Sequence, residues 1–395
     1  MTRTKIPHIK VDAFPLVDAH FSGVGHYTLG IVNALDELAG EGKLTYSLIV
    51  PRKMAHKIAP YGFMHHKRII KNPVPNRVIR GFMKYRIPFP MDLVLGIGNY
   101  YFPSFLAWPT WFSKSTVVIH DVTYLAVPEC VEEGNRNYLE RVIPFSLRNA
   151  KNVIAVSEFS KSEIQKYYKD IKHERPIAVA HPSVDKKHFY RRSADEIFKV
   201  RMKYDIYDNN YILAVGNVEP RKNYAALIDA YTNLPREITN KYPLVIVGAG
   251  GWNNDNILKK IQSAKENGYK IINPGRFVRD EDMPALFSGA HFFVFVPIYE
   301  GFGMSPIEAY ACGTPVIASN VASVPEAAGK AAIYVDPFDT ADITKKMKNL
   351  FRDLDKDDDT YTQAMRNHLK TLNWRQSGEI TAATATGHSR KEFRR

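Results

Sequence analysis

"YEGFGMSPIEAYACGTPVIAS", residues Tyr299–Ser319, sets two acids, Glu300 and Glu308, on either side of a Gly-Phe-Gly turn. A local reading accounts for part of it. Ser305 serves as a helix N-cap, Pro306 sits where a first-turn residue has no partner for its N–H, and Glu308, three residues after the serine, completes a capping box. A capping box does not call for Gly301 and Gly303 just upstream, nor for an acid before them. The preceding run "AHFFVFVPI", Ala290–Ile298, has the length and aromatic content of a buried strand. A strand feeding a glycine turn that opens a helix gathers free N–H groups and the positive end of a helix dipole at one point. Such a point suits a phosphate.

The same alternation runs through the chain. "YSLIV", "DLVLGI", "STVVIH" and "NVIAVS" read as strands in the first half, and "YILAVG", "PLVIVG", "HFFVFV", "TPVIAS" and "AAIYVD" in the second. Near-continuous apolar strands separated by helical segments predict parallel sheets covered on both faces. Two such sets predict an α/β protein of two doubly wound parallel-sheet domains, 1–190 and 191–375, divided in the polar stretch "DKKHFYRRSADEIFKVRMKYDIYDNN". The tail, 376–395, containing "TAATATGHSRKEFRR", has little to bury and is expected to be mobile or to pack back on the first domain. No short fixed-period repeat is present, which excludes a solenoid.

At 395 residues, 45% hydrophobic and 24% charged, the chain is long enough for two cores and ordinary for a globular protein. "MTRTKIPHIKVDAF" lacks the apolar segment of a signal peptide, and no apolar run approaches a membrane span, so a cytoplasmic location is expected. Cys130 and Cys312 suggest neither a disulfide framework nor a metal site. "RDLDKDDD" imitates the start of a calcium loop but has Asp358 where glycine is required and no acid at the twelfth position, so it reads as a solvated loop.

The net charge of +13 is uneven: residues 1–190 contribute 26 Lys/Arg against 16 Asp/Glu, and 191–395 contribute 28 against 25. Residues 51–90 hold ten Lys/Arg and no acid, interleaved with Tyr61, Phe63, Met64, Phe82, Met83, Tyr85 and Phe89. Cations mixed with apolar side chains fit an anionic lipid surface. A solvated positive face with some core residues showing through is the plain alternative, and nucleic acid is the less favoured ligand.

Ligands of open parallel sheets sit beyond the carboxyl ends of the strands. After "YILAVG", which ends in Gly216, "NVEPRKNYAALIDAY" puts Arg221 and Lys222 at the mouth of a helix. Two cations beside the positive end of a dipole are unfavourable unless an anion lies between them, and a diphosphate would supply one. "STVVIH" ends in His120 and is followed by Asp121, at a strand's carboxyl end; the acid suits a cap and a lone histidine is commonly structural. "FSGVGHYTLGIVNAL" places Gly23 and Gly25 ahead of a helical pattern, a generic second phosphate cradle. "VSEFSKSEI" reads as a capping box of Ser160 and Glu163 and carries no chemistry.

Together "SGVGHYT", "VVIHDVTYL", "VSEFSKSEI", "VGNVEPRKN", "LVIVGAGGW" and "EGFGMSPIEAYACGTPVIASNVASVPEAAGKAAIYVDP" resemble the retaining glycosyltransferases of family four, in order across nearly the whole chain. The resemblance implies the glycosyltransferase-B fold and a catalytic site containing His120 and Glu300. It implies that Glu308 binds the ribose of a nucleotide sugar and that Glu300 touches the hydroxyls of the transferred sugar. Amides of Gly303, Met304 and Ser305 then face sugar or diphosphate, and Arg221 and Lys222 neutralise the leaving diphosphate. Gly25 and Gly216 belong to the implied donor site, and backbone at Phe277 and Val278, in "NPGRFV", reads the base. His120 is expected near the reacting carbon, not as a general base. The chemistry implied needs no metal and no cofactor beyond the donor substrate.

"EPRKN" with "GAGGW" most resembles bacterial mannosyltransferase-like members that build surface polysaccharide, which favours GDP-mannose over a UDP-hexose. The expected partners are a nucleotide sugar, a saccharide acceptor on a lipid carrier, and the anionic inner face of the plasma membrane, met through residues 51–90; nucleic acid is not expected. His26 departs from the arginine of many relatives, and "AHPSVD" from the more usual Asn-Gly-Val-Asp. The rival readings are a sugar-nucleotide epimerase of the same fold and an inactive basic binding protein.

Overall fold

A computed structural model describes residues 6–18, 22–171, 176–274, 278–354 and 360–394. The chain forms two compact units, one comprising residues 1–126, 133–183 and 373–395, the other 127–132 and 184–372.

In the first unit β1 (His8–Asp12), β2 (Thr45–Pro51), β3 (Arg68–Asn72), β4 (Asn99–Phe102), β5 (Lys114–Ile119), β6 (Asn152–Ala155) and β7 (Ala178–Val179) form one sheet. Its order is β3, β2, β1, β4, β5, β6, β7, with every pairing parallel. The second unit has β8 (Ile212–Val215), β9 (Leu244–Val247), β10 (Ile271–Ile272), β11 (Phe292–Phe295), β12 (Val316–Ser319) and β13 (Ile333–Val335). These run β10, β9, β8, β11, β12, β13, again all parallel. "LVIV" of β9 and "FFVF" of β11 are buried at every position, as strands covered on both faces must be. The predicted class, two doubly wound parallel sheets, is the observed one.

In each sheet the chain works outwards on one side and returns to the other. The order reverses between β1 and β4 in the first unit and between β8 and β11 in the second. Crevices beyond the strand ends at such reversals are where open α/β sheets take ligands.

Two local readings differ from the structure. "DLVLGI" is not a strand: Met91–Leu95 is a helix, and the sheet position is taken by "NYYF" of β4. Charges secure that helix. The buried Asp92 carboxylate accepts the amides of Trp111 (3.1 Å) and Phe112 (2.7 Å), while Lys10 Nζ donates to the carbonyls of Leu95 (2.8 Å) and Gly96 (2.6 Å). Nor do Gly23 and Gly25 form a turn ahead of a helix; they are the first and third residues of the helix Gly23–Gly40. The tail belongs to the first unit. Its helix Trp374–Thr386 packs on the helix Gly23–Gly40 and on the first sheet, because small residues let the two backbones close up. A Cβ on Gly378 would lie 2.5 Å from that of Ala34, and one on Gly30 would overlap the Trp374 indole.

The apolar residues of 51–90 divide between core and surface. Phe63 and Met83 are buried, whereas Met64, Tyr85 and Phe89 are exposed. Among the described residues no helix is long and apolar enough to cross a membrane.

Candidate active site

The loops that leave β8 and β11, the two strands flanking the reversal in the second sheet, carry Arg221, Lys222 and Glu300. Beyond β8 the backbone passes through Gly216 at φ +140°, a conformation open to glycine, and its carbonyl accepts the Tyr224 hydroxyl at 2.8 Å. A short turn, Pro220–Lys222, follows, then left-handed Asn223, then the helix Tyr224–Thr232. Beyond β11 the chain crosses this turn: the Ile298 N–H donates to the Arg221 carbonyl at 3.0 Å. That bond fixes Arg221 against the start of the glycine turn.

Gly303 has φ +88°, and a Cβ there would come within 2.9 Å of the Phe295 ring, so glycine is required on both counts. The Ser323 hydroxyl, fully buried, stands beneath the turn against the carbonyls of Glu300 (2.8 Å) and Phe302 (3.1 Å). The helix that follows, Ser305–Ala311, begins without the predicted serine cap. Met304 occupies the N-cap position with helical backbone angles and no side-chain hydrogen bond, Ser305 is the first helical residue, and Glu308, half-buried, lies in the first turn. The helix starts one residue earlier than a capping box requires, so that reading of Ser305 and Glu308 is set aside. The cap after β6 is likewise Ser157, which accepts the Ser160 amide at 2.9 Å. Ser160 instead donates its hydroxyl to the His120 carbonyl at 2.9 Å.

Glu300 is buried and bridges both cations: its carboxylate lies 2.7 Å from Arg221 Nη1 and 2.5 Å from Lys222 Nζ. Burial raises the cost of its charge, but the Arg221 and Lys222 cations more than offset this and hold the carboxyl below its usual range. Arg221 is gripped on its other side by Glu219 at 2.7 Å and also donates to the Tyr299 carbonyl at 3.0 Å. Lys222 Nζ rests 5.3 Å above the Phe295 ring. The cluster therefore balances two cations with two acids, its charges preset by the fold. Glu219, 2% exposed, has one carboxylate oxygen with no hydrogen-bond partner among the described residues. The sequence reading passed over Glu219, although "EPRKN" places it two residues before Arg221.

The remaining predicted residues are distributed between the units. Val278 is buried in the second unit, while Phe277 lies outside the described residues. Gly25 and His120 belong to the first unit. His120 follows directly on β5, with Nε2 2.7 Å from the Pro103 carbonyl and its ring edge-on to Tyr27 at 5.1 Å. A carbonyl only accepts, so Nε2 carries the proton and the neutral ring leaves Nδ1 as an acceptor. Burial lowers its pKa, outweighing the Pro103 bond and the Asp121 charge, and favours this neutral form. Among the described residues no group of three or more His, Cys, Asp and Glu is placed to hold a metal ion.

Residues 197–367 match the family model described as Glycosyl transferases group 1. O-antigen chain mannosyltransferase B of Escherichia coli is 33% identical over 254 residues, 64% of this chain and 65% of that protein. The chain spans less than two thirds of the length of the curated relatives it matches first. Among solved structures, Anabaena Alr3699/HepE in complex with UDP and glucose superposes with a TM-score of 0.68 at 15% identity, over 97% of this chain and all of that one. WaaG, a glycosyltransferase involved in lipopolysaccharide biosynthesis, gives 0.63 at 14% identity over 97% and 100%. At these identities the superpositions speak for the fold. The chain thus has a glycosyltransferase-B fold of two parallel sheets, and within it residues 197–367 match the glycosyl transferases group 1 model.

Proposed function

We propose that the protein is a retaining glycosyltransferase that moves mannose from GDP-mannose to a saccharide on a lipid carrier, in surface-polysaccharide synthesis at the inner face of the plasma membrane. The observation that carries the reading is the convergence of Arg221, Lys222 and Glu300 at the strand-order reversal of the second sheet, within the residues that match the family model. The names of the related mannosyltransferases support the sugar and the pathway. The guanine base rests on the family resemblance alone.

In the reaction, the bond between the anomeric carbon and the diphosphate oxygen breaks, leaving its electron pair and a new negative charge on GDP. Arg221, Lys222 and the N–H groups at the start of the helix Ser305–Ala311 meet that charge, preplaced where water would have to reorganise. An acceptor oxygen bonds the anomeric carbon on the face that GDP leaves, and its proton passes to a diphosphate oxygen. The balance closes without a cofactor. Glu308 holds the ribose, Glu300 and His120 the hexose, Gly303, Met304 and Ser305 present backbone to the diphosphate or sugar, Gly25 and Gly216 let backbone approach the donor, and Phe277 and Val278 read the base. Residues 51–90 dock the first unit on anionic lipid.

A panel of GDP- and UDP-sugars, scored by thermal stabilisation and slow hydrolysis, tests this reading. Stabilisation by GDP-mannose above all others is expected. A UDP-sugar as the clear winner would overturn the donor, and an isomeric nucleotide sugar without glycoside would replace the transferase by an epimerase.

A further inference from the structure

The acid-free region is longer than residues 51–90. From Gly42 to His120 the chain holds twelve Lys/Arg and one acid, Asp92, which is 1% exposed and committed to the amides of Trp111 and Phe112. No acid of this region therefore faces solvent. Its exposed surface is wholly cationic or neutral, and it is also apolar. Residues Lys84–Phe89 are exposed without interruption, and beyond them stand Leu93 (63%), Val94 (40%), Ile97 (66%), Trp111 (63%) and Phe112 (62%).

These last five lie on two segments that hydrogen bonds lock together. The helix Met91–Leu95 holds the 109–112 loop through Met91 N–H to the Pro109 carbonyl (3.0 Å) and through the two Asp92 bonds. At its other end Lys10 fixes Leu95 and Gly96, the Tyr100 hydroxyl donates to Gly96 at 2.5 Å, and the Gly98 amide reaches the Ser113 hydroxyl at 3.1 Å. Leaving large apolar groups in water forgoes the free energy that burial would recover. Here the backbone beneath them is held by buried charges, an arrangement that keeps the side chains outward instead of letting them collapse inward. Resting on the proposed lipid docking of residues 51–90, we infer that Leu93, Val94, Ile97, Trp111 and Phe112 form a preorganised wedge that inserts into an anionic lipid surface. The neighbouring cations meet the headgroups, and the wedge reaches below them. Charge selects the occupant, since a surface without one exposed acid complements an anionic layer.

The test uses the full chain with phosphatidylglycerol–phosphatidylcholine vesicles, against phosphatidylcholine alone. Trp111→Ala with Phe112→Ala is expected to lower partitioning roughly tenfold or more, with melting temperature and nucleotide affinity unchanged. Brominated acyl chains should quench the fluorescence of the bound wild type, and Trp111→Phe should bind while losing most of that quenching. In about 1 M salt, where screening acts beyond roughly 3 Å, the residual binding should be the part most sensitive to the double variant. If Lys84→Glu with Arg86→Glu releases the protein while the double variant binds as wild type and Trp111 is not quenched, the wedge is refuted and basic docking survives. If the wild type ignores anionic vesicles, both ideas fall. If it instead self-associates, and the double variant does not, the surface joins two copies and the lipid assignment is wrong.

Discussion

Lys222 Nζ and the Glu300 carboxylate lie 2.5 Å apart, joined across 78 residues of sequence, with Arg221 on the other oxygen of the same carboxylate at 2.7 Å. The carboxylate thus occupies the position between two cations that the proposed reading gives to a diphosphate. Donor binding would then exchange one anion for another, leaving Glu300 free for sugar hydroxyls.

Glu300→Gln removes the competing charge. Calorimetric titration with GDP is expected to show binding about three- to tenfold tighter, a gain of roughly 1 kcal/mol, while transfer slows at least tenfold. Weaker GDP binding would show that the carboxylate does not mask the cations.

Replacing both Arg221 and Lys222 by alanine should weaken the nucleoside diphosphate by roughly a hundredfold or more, since each charge-assisted bond is worth about 1.5–3 kcal/mol. Equilibrium binding measures it. Unchanged affinity would place the phosphates elsewhere.

Asp12, at the end of β1, is buried so fully that its carboxyl is pushed up to about 7, against the opposing bond from the Phe14 amide at 3.2 Å. Between the unfolded value of 3.8 and about 7 the folded protein holds a proton that the unfolded chain has lost. Stability from this group is therefore complete below the lower value and lost as pH rises through the upper one. Asp12→Asn, neutral throughout, should flatten that decline by a few kcal/mol (~1.4 per pKa unit), and urea titrations from pH 4 to 8 will show whether it does.

Gly30→Ala drives a methyl into the Trp374 indole and is expected to cost about 1–3 kcal/mol of stability. Gly81→Ala, with nothing within 4 Å, should be neutral or stabilising by about 0.4–1 kcal/mol. Chemical denaturation compares them. Equal effects would mean that the helix Trp374–Thr386 is not tightly seated.

The long apolar strands were legible because burial on both faces writes an unbroken run, as in "LVIV" and "FFVF". Strands of mixed composition, "HIKVD" and "RIIKN", were missed for the same reason. Lys10 looks solvated in sequence but is buried 3% exposed to hold two carbonyls. "DLVLGI" misled because Asp92 acts through amides 19 and 20 residues away, which no window detects. At the site, glycines and charges near strand ends identified Glu300, Arg221 and Lys222, yet their mutual pairing was invisible. It arises from the adjacency of β8 and β11, a property of strand order. Glu219 and Ser323 escaped because an acid before a proline, and a serine after a strand, are common in loops.

The helix Trp374–Thr386 has a consequence for synthesis. The first sheet is translated early, yet the helix that packs on it and on Gly23–Gly40 arrives only after the whole second unit has emerged. Until residue 386 leaves the ribosome, the face around Gly30 and Ala34 lacks its covering helix, whereas the later-made unit has all its residues in hand first.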